Sequence, residues 1–177
     1  MNYIEDLQYP IGRHNNNNNA TAEEMQQAIE TIEFFPIRLE HEIQNLDEYQ
    51  LEIPYRQGGW NIRQVVHHCA DSHLNCLIRL KLALTESNPI IKPYAEDLWA
   101  NCKDYYLPIN NSTTLLHAVH KKIVVIFKNL SADEWARTYF HPQQQQEFSI
   151  AGLLLLYAWH CNHHLAHITH LKNRMRS

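Results

Sequence analysis

Glycine is nearly missing from this chain, at 4 of 177 residues. That scarcity argues against a turn-rich all-β fold and against a glycine-rich phosphate loop. Long hydrophobic runs are missing as well. The best candidate, Ile150 to Trp159, is about half the roughly 20 residues of a membrane span and reads as a buried helix. Cationic excess is absent: Lys and Arg total 15 against 19 Asp and Glu, a net charge of −4. With no basic stripe, nucleic acid is not an expected partner. There is no His-Glu-x-x-His, so a metalloprotease reading lacks its general base. Met1 to His14 has no apolar signal-peptide core. Cys69, Cys76, Cys102 and Cys161 are therefore expected as reduced thiols in the cytoplasm, each a small buried hydrophobe.

What is present is a globular composition, 45% hydrophobic and 19% charged. The length fits one domain, residues 1–177, with a sizeable core behind an irregular lead-in over 1–20. In that lead-in, Asn15 to Asn19 reads as a solvated loop. Thr21-Ala22-Glu23-Glu24 is a capping box that opens a helix, which Pro36 should kink or break. Its apolar pattern resumes at Ile37 and stops near Leu46. Gly58-Gly59 forms a sharp turn, and Asn61 caps a helix from Ile62 to about Thr85. Glu96 to Lys103 reads as a short helix with Trp99 inward. Ser112 is expected to cap a helix with the stripe Leu115, Leu116, Val119, Ile123, Ile126 and Phe127; His117 and His120 flank it as surface or boundary residues. Ser131 opens another capping box. Tyr139-Phe140 and Glu147-Phe148 can pair as a small hairpin around a glutamine tip. Ser149 caps the last helix. The expectation is an all-α fold, a four-helix bundle with long crossover connections and short extra helices.

The usage that departs from the average is 13 histidines, clustered toward the C-terminus. On a helical wheel His160, His164 and His167 continue the apolar stripe of Leu153, Leu156 and Leu171. His160 and His164 lie one turn apart, the spacing with which one helix holds a metal. His163 and His167 share that spacing, so spacing alone leaves the pair open; His163 lies off the stripe, which favours His160 with His164. On the Ile62 helix, His68 edges the apolar face and is the better placed of an adjacent pair, while His67 points toward solvent. Metal sites in bundles are built from inward side chains on facing helices, so one ligand from this helix and two from the last is geometrically natural. Three neutral imidazoles suit zinc, and also nickel, cobalt or iron(II), and leave a coordination position open. An ion there would activate water or hold a thiol as thiolate. Asp71 and His73 are candidate supporting or acid–base groups.

The stretch Pro54-Tyr55-Arg56-Gln57-Gly58-Gly59-Trp60-Asn61-Ile62-Arg63-Gln64-Val65-Val66-His67-His68-Cys69-Ala70-Asp71-Ser72-His73 resembles the hallmark of the YfiT-like metal-dependent hydrolases of the DinB superfamily. Tyr9-Pro10-Ile11-Gly12, the Arg79 to Tyr94 segment, Tyr157-Ala158-Trp159-His160 and His163-His164-Leu165-Ala166-His167-Ile168 are similar to the same family. The resemblance implies a four-helix bundle with one metal held by His68, His160 and His164, in a cytoplasmic protein that is often a homodimer. It implies hydrolysis of a small-molecule substrate, with zinc the first expectation and nickel next. An alternative is a metal-dependent thiol S-transferase that joins a small thiol such as bacillithiol to an electrophile. A further alternative is a non-catalytic metal-binding bundle of a stress response. The departures are Cys69, Cys161, the asparagine run and the Gln143 to Gln146 loop.

Overall fold

Capping chemistry sets several helix starts in the computed structural model, which describes residues 7–15 and 20–176. The first long helix, α1 (Ala22–Ile43), opens on the Thr21 box: Thr21 Oγ1 accepts from the Glu24 amide at 3.2 Å and Glu24 Oε2 accepts from the Thr21 amide at 2.7 Å. A box of Asp47 with Gln50 opens the short α2 (Glu48–Leu51), and Asn61 with Gln64 opens the long α3 (Ile62–Thr85). Then come α4 (Glu96–Trp99), a 3₁₀ turn over Lys103–Tyr106, the long α5 (Asn110–Phe127) and α6 (Ala132–Trp135), the last on the Ser131 box. A hairpin of β1 (Thr138–His141) and β2 (Gln146–Ser149) pairs Tyr139 with Phe148. It leads into α7 (Ile150–Arg176), where Ser149 Oγ accepts from the Gly152 amide at 3.0 Å. Of the asparagine run only Asn15 is described, so that loop lies otherwise outside the described residues.

The long helices form a four-helix bundle. α1 and α3 each pack chiefly against α5 and α7, so each faces the other across the core. Chain order thus crosses the bundle diagonally from α1 to α3 and again from α5 to α7, which needs the long connections 44–61 and 128–149. Phe35, Leu39, Val66, Leu80, Leu116, Leu153 and Leu154 are fully buried between them. Each such large side chain contributes about 1.5–3 kcal/mol on leaving water. No helix among the described residues is long and apolar enough to cross a membrane.

Several local expectations are corrected by tertiary packing. Pro36 does not break α1, which runs through it with Pro36 buried. Trp99 is exposed and packs on Tyr94, with ring centroids 4.6 Å apart. Cys102 is exposed, unlike the other three cysteines. Leu115 is exposed, and α5 begins at Asn110, with Ser112 buried inside its first turn. His120, four residues after Leu116 and three before Ile123, belongs to the buried stripe and is 2% exposed. His67 does not face solvent. The connection 86–109 and the start of α5 cover the outer face of α3, and His67 is 5% exposed. Its Nε2 donates to the Leu107 carbonyl at 3.0 Å, which leaves Nδ1 to accept from the Ser112 hydroxyl at 2.7 Å.

His67 is thus a latch between α3 and α5. His67→Ala should cost about 2–3 kcal/mol in urea unfolding, because it strands two polar partners at that contact. A surface histidine would change stability by less than about 0.5 kcal/mol.

Candidate metal centre

His68 from α3 meets His160 and His164 from α7, and the three offer ligand nitrogens that all lie within 4.8 Å of one another. His68 Nε2 and His160 Nε2 are 3.2 Å apart. Two nitrogens on one tetrahedral zinc, each at about 2.0–2.1 Å, stand about 3.3 Å apart, so the donor pair fits such an ion. No cysteine or carboxylate among the described residues joins the three.

Two hydrogen-bonded chains decide which ring nitrogens carry protons. Pro36 has no N–H, so the carbonyl four residues earlier, Ile32, loses its helical donor. That carbonyl accepts from His120 Nδ1 at 2.6 Å. Neutral His120 therefore has an acceptor at Nε2, which faces His73 Nδ1 at 2.5 Å. His73 must then be the Nδ1–H form, and its Nε2 accepts from His160 Nδ1 at 3.0 Å. The result is a His160 whose Nε2 is unprotonated, with its lone pair turned toward His68 Nε2. Phe35 packs on both His73 and His120, with centroids 5.4 and 5.5 Å away. The second chain starts at the Gln8 carbonyl, which accepts from His167 Nε2 at 3.1 Å. His167 Nδ1 then accepts from His164 Nδ1 at 3.4 Å, and His164 Nε2 is left free. One backbone carbonyl at each end sets the tautomer of one candidate ligand.

The loop 54–61 and the lead-in frame this cluster. Tyr55 stacks on His167 at 3.9 Å, and Trp60 lies 4.5 Å from His68. Between them Gly58 turns the chain at φ 67°, and a Cβ on Gly59 would come within 2.7 Å of the Arg56 side chain. The Trp159 indole donates to the Gly12 carbonyl at 3.2 Å, and His163 lies under Trp159 at 4.3 Å. His163, His164 and His167 also lie within 4.8 Å of one another, but both nitrogens of His167 are already engaged. A cavity of about 390 Å³ opens above the cluster, lined by His68, His160, His164, Tyr55, Trp60 and Trp159 among others.

A model of the DinB superfamily matches residues 31–168. Proteins of Bacillus cereus and of Bacillus thuringiensis subsp. konkukian, both carrying the provisional name of metal-dependent hydrolase, are 45% identical over 172 residues, 97% of this chain and 99% of each relative. The chain belongs to the DinB superfamily. Among solved structures, YfiT from Bacillus subtilis, described provisionally as a metal-dependent hydrolase with an unusual four-helix bundle topology, superposes with a TM-score of 0.93 at 38% identity, covering 96% of this chain and 98% of YfiT. A mycothiol-dependent maleylpyruvate isomerase shares the DinB-type fold at a TM-score of 0.62 and 14% identity, over 77% of this chain and 57% of its own.

In this DinB bundle the sequence-derived residues separate. His68, His160 and His164 lie together, and His73 bonds to His160. Asp71 lies apart, where its carboxylate accepts from the Tyr105 hydroxyl at 2.8 Å. His120 and the Gln8 carbonyl were missed. His120 had a signal in its place on the α5 stripe, whereas a backbone carbonyl has none. Burial, aided by repulsion from His163, holds His68 down at about 3. Burial first, then neighbouring imidazoles, holds His73, His160 and His164 well below 6.5. Burial also brings His120 to about 4 and His167 to about 3. The histidine cluster is therefore held in its neutral form at pH 7, the form in which an imidazole can bind a metal.

These depressed values have a stability consequence. Above about pH 6.5 both folded and unfolded histidines are neutral; as pH falls, the unfolded chain takes up protons that the fold refuses. Metal-free protein should thus lose stability from pH 6.5 down toward 3, each buried histidine contributing up to about 1.4 kcal/mol per pH unit. Thermal melts between pH 7 and 4 check this; a flat profile would contradict the neutral, buried assignment. In Pro36→Ala the Ile32 carbonyl regains a helical donor. Long-range ¹⁵N–¹H spectra should then show His160 losing its single Nδ1–H form.

Proposed function

We propose that this protein is a metal-dependent hydrolase in which His68, His160 and His164 hold one divalent ion, zinc ahead of nickel. The observation that carries the reading is the pair of carbonyl-anchored chains, which leave His160 and His164 with unprotonated Nε2 atoms beside His68. The family and the provisional names of its relatives support the same reading. A bound ion would supply Lewis-acid chemistry, polarising a carbonyl and acidifying a water or thiol. The chain's own part is positional. His73 and His167 hold the Nδ1 protons of His160 and His164 away from the centre, as ligating histidines require. Trp60 and Tyr55 wall the centre against bulk water. Asp71 has no part in this reading, because it lies outside the histidine cluster, with its Oδ2 accepting from the Tyr105 hydroxyl.

A metal-dependent thiol S-transferase is the second reading. It is favoured by a neighbouring cavity that meets the first at His160 and carries Arg79, Gln143 and Gln144, groups suited to a polar thiol. A non-catalytic role would call for a fourth protein ligand, and none of the described cysteines or carboxylates joins the cluster.

Untagged protein should contain about one metal per chain. His68→Ala, His160→Ala and His164→Ala should each lose most of it without unfolding, while His67→Ala keeps it. His120→Ala should weaken metal affinity about 10–100-fold, the usual cost of removing support behind a ligand. Elemental analysis and chelator competition read these outcomes. Ester and amide turnover without added thiol supports hydrolysis; strict dependence on a small thiol favours the transferase. His68→Ala retaining its metal would overturn the ligand set.

A further inference from the structure

We propose that Arg79 is the anchor for the carboxylate of a small-molecule substrate whose reacting end lies at His160. Arg79 sits on α3 and is 9% exposed. Its guanidinium makes no hydrogen bond or ion pair with any described residue, and its buried Nε has no partner. Among the described residues, two other guanidinium groups set into the fold are paired, and Arg56, whose Nε is likewise unpartnered, still donates from Nη1 to the Gln57 carbonyl at 3.1 Å. Arg63, on the same helix, is held by Glu48 at 2.5 Å and Glu52 at 2.6 Å. Arg137 donates to the Ala83 carbonyl at 2.6 Å and the Glu86 carbonyl at 2.8 Å. A buried cation without a counter-charge destabilises a fold, so its counter-ion is expected from outside the chain.

The surroundings say which kind. Arg79 lines the second cavity, about 870 Å³, together with His160, Tyr94, His141, Gln143 and Gln144. Glu96 and Asp97 line it too, but neither comes within ion-pair distance of Arg79. The Tyr157 hydroxyl is already committed to the Ser72 carbonyl at 2.9 Å. The cavity wall around the guanidinium thus combines neutral hydrogen-bonding groups with two carboxylates, Glu96 and Asp97, that leave Arg79 unpaired. A guanidinium fork matches the two oxygens of a carboxylate. Arg79 lies about 9 Å further along the helix axis than His73, whose ring bonds to His160. The occupant is thus several bonds long, with its anionic end on Arg79 and its reacting end toward the metal centre. Only that second half rests on the proposed function; the anion site stands without it.

The test uses full-length protein stripped of metal, with hexanoate and the neutral hexanamide as probes. Titration by NMR should find hexanoate bound at least about 10-fold more tightly than hexanamide, and Arg79→Gln should erase the difference while Arg79→Lys keeps part of it. Hexanoate should raise the melting temperature of the wild type and not of Arg79→Gln. Arg79→Met should melt no lower than the wild type, because it removes an unpaired charge; a purely structural arginine would give a drop. Equal binding of the two probes, no binding of either, or unchanged hexanoate affinity in Arg79→Gln overturns the proposal. Inorganic phosphate displacing hexanoate with higher affinity overturns the carboxylate assignment. Arg79-dependent binding in a protein that loads no metal would sink the hydrolase reading and leave this one standing. A protein that loads metal but binds hexanoate without Arg79 would do the reverse.

Discussion

A missing N–H group organises the candidate centre. Pro36 cannot donate within α1, and the Ile32 carbonyl that loses this donor accepts His120 instead. From that bond the proton positions of His120, His73 and His160 follow in turn, because each neutral imidazole has one donor and one acceptor. A residue that local rules treat as a defect in a helix thus specifies a lone pair on another helix. The helix survives because its packed face, with Ile32, Phe35 and Leu39 buried, compensates for one absent backbone bond.

The topology explains why such long-range specification is available. α1 and α3 face one another across the bundle, with α5 and α7 between them. His120 on α5 reaches back to α1 and across to His73 on α3, which reaches on to His160 on α7. The hydrogen-bonded chain therefore links all four long helices, three through a ring and α1 through a carbonyl. Opposite it, the lead-in and the loop 54–61 close over α7 from outside, with Gln8 on His167 and Tyr55 against the same ring. The cluster lies where a through-bundle contact and a surface covering meet.

Much of this was legible in the sequence where the signal is local. The capping boxes at Thr21 and Ser131 and the N-cap at Asn61 mark helix starts, and the hairpin follows from Tyr139-Phe140 and Glu147-Phe148 around a polar tip. His68, His160 and His164 were legible as inward residues on periodic helices, and they lie together. What escaped depends on partners far away in sequence. His67 reads as solvent-facing only if α3 has one covered face, and the connection 86–109 covers the other. His120 reads as a flanking polar residue until His73 and the Ile32 carbonyl are placed on either side. Pro36 reads as a helix breaker because propensity does not see the packing that keeps α1 continuous through it. Asp71 looked like acid–base chemistry, but its side of α3 belongs to Tyr105.

Both anchoring groups, at Ile32 and Gln8, are backbone carbonyls, and this has an evolutionary consequence. Substitution of a side chain cannot delete a peptide oxygen. Position 32 is therefore free to vary as far as core packing permits, and position 8 more widely still, without erasing the acceptor. A substitution would disturb the pattern at the imidazoles that relay it, and at residue 36, where almost any replacement would restore the competing donor. The proton pattern of the candidate centre is thus anchored on two backbone atoms and relayed by side chains.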